Sequence, residues 1–118
     1  MTTTSTQAGP MEFAEADWKE LRRLHATAFE RFCARTLDEC VALATDDAVT
    51  AGERYGAIQR YMKDRDRAVA AAFKDLRRTR ALEVLSGIVA LDLLTEDELA
   101  GLSADVRDRL AQAAAADA

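Results

Sequence analysis

The sequence predicts an all-α fold. A long antiparallel helical hairpin is followed by short C-terminal helices, and the whole forms a helical bundle, expected as a dimeric bundle of four-helix type. Three observations carry this expectation. The single proline stands at position 10 and none follows it in the 118-residue chain. Proline inside a helix costs about 3 kcal/mol or more, because it removes a hydrogen bond and clashes with the preceding turn, so its avoidance suits long unbroken helix. Apolar residues recur with helical period over two long stretches, and no strand-type alternation persists. The second stretch repeats nearly every seven residues, which keeps one seam facing a partner helix.

Residues 1–10 are rich in Thr and Ser and read as a flexible N-terminal tail. Residues 11–112 read as one helical domain. The first helix is expected over 11–44, with Trp18, Leu21, His25, Phe29, Phe32, Cys33, Thr36 and Cys40 along one stripe. Asp17 and Glu20 have the spacing of a capping box at its start. Thr45, Asp46 and Asp47 make the first break and are placed to cap the next helix, expected over 46–86. Tyr55, Ile58, Met62, Val69, Phe73 and Leu76 mark its seam, which Arg65 interrupts. The charged run Lys63-Asp64-Arg65-Asp66-Arg67 is the weak point of its continuity. Helices over about 87–94, 96–101 and 104–112 follow. Thr95 with Glu98 forms a capping box, flanked by Leu94 and Leu99, and Ser103 can cap the last helix. The alanine-rich residues 113–118 read as a frayed tail.

Length then argues for a partner. A compact chain of this size is about 35 Å wide by radius-of-gyration scaling. A helix from Asp46 to Arg80 would be about 52 Å long at 1.5 Å per residue. A lone hairpin covers only one side of each apolar stripe, and two hairpins packed about a two-fold axis cover both. Homo-oligomer formation, with a dimer favoured, is therefore expected; the alternative is that the 82–110 segment folds back and closes a monomeric bundle of four or five helices. The interface is expected to use Trp18, Leu21, Phe29, Phe32, Tyr55, Ile58, Met62, Val69, Phe73 and Leu76.

No catalytic constellation is visible. His25 is the one histidine, and the residue three before it is Arg22, so the Glu-x-x-His pair of di-iron bundles is absent. Cys33 and Cys40 would lie about 10.5 Å apart on a straight helix, beyond the reach of about 7 Å for a disulfide. They read as free thiols of a reducing compartment, and the chain as cytoplasmic. Nucleotide-binding glycine motifs and zinc-ligand spacings are missing. No enzyme activity, metal or cofactor is expected, nor any membrane segment, since no apolar run approaches 18 residues.

Charge is uneven under a formal net of −5. Residues 53–80 hold nine bases against four acids, between two acidic flanks. Arg60, Lys63, Arg67, Lys74, Arg77 and Arg78 are the candidate polyanion contacts, the basis of an alternative function as a nucleic-acid-associated accessory protein. A recognition helix over Ser103–Leu110 is disfavoured, because Asp105 and Asp108 offset Arg107 and Arg109. The favoured expectation is a non-enzymatic, homo-oligomeric interaction or regulatory module that presents a helical face to a protein partner.

Overall fold

The computed structural model describes residues 12–117. Five α-helices follow one another: α1 (Glu15–Ala44), α2 (Ala51–Ala72), α3 (Ala81–Ala90), α4 (Glu96–Leu99) and α5 (Ala104–Asp117), with a 3-10 turn at Arg78–Arg80. They pack against one another, and the described residues contain no strand. The expected tail over 1–10 lies outside the described residues.

Tertiary contacts move several helix ends from where local rules put them. α1 starts at Glu15, later than the expected start at 11, and Asp17 does not cap it, since no side chain caps that end. Arg78 from the 3-10 turn donates to the Phe13 carbonyl at 3.0 and 2.7 Å and holds that end in place. Asp17 is buried instead and accepts from the Ser103 backbone N–H at 2.8 Å and from its hydroxyl at 2.7 Å. Ser103 Oγ accepts in turn from the Val106 N–H, so α1 supports the start of α5.

The break after α1 falls where expected, but Asp46 is used inside the turn, accepting from the Ala48 N–H at 3.0 Å. Thr50 is the true cap of α2, in a reciprocal box with Glu53. α2 then runs through 63–67 without interruption and stops at Ala72, not at 86. Three aromatic contacts explain the stop. The Phe73 ring meets those of His25, Phe29 and Phe32 at 5.2, 5.4 and 5.7 Å between centroids. Turning the chain there brings Ala72 against Gly87, and α3 folds back onto α1 and α2. α3 therefore occupies 81–90, where the sequence suggested the end of one helix and the start of another.

Two arginines of α1 hold the far end of α3. Arg31 donates to the Leu93 carbonyl at 2.8 Å, and Arg35 to those of Leu91 and Asp92 at 3.1 and 2.6 Å. Cations suit the negative end of a helix, and this one closes with Asp92 in the left-handed region at φ 58°. The Thr95–Glu98 box forms as its spacing predicts. α5 continues through the alanines to Asp117, past the expected end at 112.

The buried apolar residues form two clusters. One joins Phe13, Leu21, Leu24, Ala81, Leu85, Leu102 and Val106. The other joins Ala28, Phe32, Ala72, Phe73, Val84, Ile88 and Leu93. Both draw only on residues 13–32 and 72–106, and no apolar side chain from 33 to 71 is buried. The molecule is accordingly long, 67 × 24 × 23 Å, with a radius of gyration of 18.0 Å. A compact chain of this length would have about 13 to 14 Å. We call the packed part the head and residues 33–68 the arm.

Candidate functional site

Among the described residues six large apolar side chains are exposed: Phe29, Leu37, Val41, Val49, Tyr55 and Met62. All lie on the arm or at its root. Leu37, Val41 and Tyr55 are 65%, 62% and 67% exposed, which is closer to an unfolded side chain than to a core one. Scattered exposed apolar residues are ordinary, but a contiguous patch marks an interaction surface.

The patch is built from α1 outward. Phe29, Cys33, Leu37 and Val41 follow one another at intervals of four, an i+4 ridge of the kind that packs into the groove of another helix. α2 lies alongside, with Cys40 Sγ at 3.6 Å from Met62 Sδ. Between ridge and α2 runs a groove of about 270 Å³, lined by Phe29, Phe32, Cys33, Thr36, Leu37, Met62, Arg65, Asp66 and Val69. Thr36 is buried in its floor. The Arg65 guanidinium lies over the rings of Phe32 and Tyr61, at 5.5 and 5.6 Å, and takes a carboxylate oxygen of Asp64 at 2.8 Å. Its Nε is buried without a partner. Both cysteines are free thiols.

The structure divides the expected interface residues. Leu21, Phe32 and Phe73 are buried inside the chain itself. Trp18 and Leu76 are half-buried against the head core, as is Val69, which also lines the groove. Ile58 is half-buried on α2. Phe29, Tyr55 and Met62 remain exposed. Leu37 and Val41 belong to the same patch but lie outside the predicted stripe. Each i+4 step drifts about 40° around a helix, so the ridge leaves a straight stripe after two steps. That interval of four was the signal available for finding them.

The basic set divides as well. Arg77 is paired with Asp75, and Arg78 with the Phe13 carbonyl and Glu15. Arg80 is held by Asp75 and Glu83. Arg60, Lys63, Arg67 and Lys74 are exposed and make no ion pair among the described residues.

At the root of the arm, His25 rests edge-on against Phe73 with its Nε2 buried and unpartnered. Burial lowers its pKa below the ordinary 6.5, partly offset by the Phe73 backbone. In the head, Arg31 grips the Glu98 carboxylate through both oxygens at 2.7 and 2.8 Å. That grip, with the Thr95 backbone N–H, draws the Glu98 pKa from 4.5 down to about 2. No three His, Cys, Asp or Glu side chains among the described residues group so as to hold a metal ion. No described helix is long and apolar enough to cross a membrane.

Comparison with family models, with curated proteins and with solved structures gave no match to this chain.

Proposed function

We propose that this protein is a non-enzymatic helical interaction or regulatory module of the cytoplasm that works as a homodimer through its arm. One observation carries the reading: from residue 33 to 71 the chain buries no apolar side chain, yet this stretch and its root hold all six of the exposed large ones among the described residues. An isolated two-helix arm has an apolar face with nothing over it. Burying apolar surface is worth about 25 cal/mol per Å², so covering this patch would stabilise the folded chain. A second arm supplies a cover of matching shape and gives a hairpin-on-hairpin bundle of four helices. Two-fold symmetry lets the same patch serve both copies.

A second reading, an accessory protein on nucleic acid, has the exposed and unpaired Arg60, Lys63, Arg67 and Lys74 in its favour. It is the weaker one, because Arg77 and Arg78 are committed to contacts within the chain.

Light scattering at micromolar concentration tests the favoured reading. The expected mass is twice the 12.9 kDa of the chain. The double substitution Leu37→Asp with Val41→Asp is expected to return the single-chain mass with unchanged helix content. A wild-type protein that stays at the single-chain mass overturns the reading.

A further inference from the structure

Self-association through the arm does not by itself say which helix meets which. The charges along the groove do. Glu30 and Asp38 each follow a groove residue of α1, Phe29 and Leu37, and both are exposed. Lys63 and Arg67 each follow a groove residue of α2, Met62 and Asp66, and both are exposed. One residue further along a helix is a turn of about 100°, so each pair stands on the rim beside the apolar groove. The α1 rim is acidic and the α2 rim is basic. Asp66 is the acid that lines the groove itself, and Asp64 beside Lys63 is taken up by Arg65.

None of these four side chains is in an ion pair, and among the described residues no ion pair joins α1 to α2. The bases of α1 at the root of the arm and in its first turn are already occupied, Arg31 on Glu98 and Arg35 on the end of α3. The two rim pairs thus carry opposite charges that do not meet within one chain.

We infer that a second copy of the chain packs arm to arm with its α1 over the α2 of the first, so that the acidic rim of each copy faces the basic rim of the other. This rests on the self-association proposed above and specifies its orientation. Placing α1 on α1 would set acid against acid, and α2 on α2 base against base. Like charges brought together across an interface are penalised, and rim charges set register and partner choice. A two-fold axis uses the favourable pairing twice.

Charge reversal reads this directly. One variant carries Glu30→Lys and Asp38→Lys, a second Lys63→Glu and Arg67→Glu, and a third all four. Dimer dissociation constants are measured by sedimentation at low salt, with helix content followed alongside. Each two-residue reversal is expected to weaken the dimer by about tenfold or more, and the four-residue variant to return near the wild-type value. A two-residue reversal that dimerises as tightly as wild type overturns the orientation and leaves the dimer standing. So does a four-residue variant as weak as either half. A wild-type protein that is monomeric removes the self-association itself.

Discussion

Head and arm share α1 and α2, yet only the head has an apolar interior. α1 runs through both. Over its first half Leu21, Leu24, Ala28 and Phe32 are buried, covered by α3, α5 and the end of α2. Over its second half Leu37 and Val41 stand in solvent with α2 alone beside them. The helix does not change character at Cys33; the number of elements around it does. A helix is stabilised mainly by what covers its apolar face, and two helices cannot cover each other on all sides.

The same contrast holds for capping. The box at Thr95 and Glu98 is tied to α1 by Arg31, whereas the matching box at Thr50 and Glu53 stands by itself at the tip of the arm. Identical local chemistry is part of a tertiary network in one place and purely local in the other.

The largest expected effect sharpens this difference. Leu85 is fully buried in the head, and Leu85→Ala should cost about 2–5 kcal/mol of folding stability through lost contacts and a cavity. Leu37→Ala removes a side chain that is 65% exposed and should cost within about 0.5 kcal/mol in the monomer. Urea unfolding at concentrations that keep the chain monomeric compares the two. Similar losses at both sites would mean that the arm has a core of its own.

Acid gives a smaller effect with the same geography. Both His25, at the root of the arm, and Glu98, in the head, have pKa values below their ordinary ones. A group with a depressed folded-state pKa stabilises the fold above its unfolded value, and that contribution is lost as pH falls through the folded one. The His25 contribution should therefore fade below the ordinary 6.5, and that of Glu98 between 4.5 and about 2. Denaturant midpoints measured over this range are expected to fall for wild type and to fall less for Glu98→Gln. An equal fall in both would show that the Arg31–Glu98 grip does not link the head to pH.

Helix as such was legible in the sequence, and so were the features that depend on near neighbours. Thr95 and Glu98 form their box because both partners lie within one turn. The end of α2 was not legible, because no proline or glycine marks it. Phe73 leaves the helix to join rings on α1 more than 40 residues earlier, and the seven-residue pattern runs on through Leu76 as though nothing happened. Asp17 looked like a cap for its own helix and serves another, 86 residues away. The exposed apolar patch was half legible. Phe29, Tyr55 and Met62 were read from periodicity, while Leu37 and Val41 follow the slower drift of the i+4 ridge. A stripe on a single helix also does not tell which part a fold will cover, so periodicity alone points Leu21, Phe32 and Phe73 at a partner when the chain covers them itself.

Amide hydrogen exchange across a range of protein concentrations tests the central claim most directly, because it reads head and arm separately in one sample. Binding stabilises only what it covers, by mass action. Protection of amides over 33–68 is expected to rise as concentration passes through the dimer dissociation constant, while those over 21–32 and 81–90 stay unchanged. An arm protected as strongly as the head at the lowest concentration, with no change on raising it, would contradict the account.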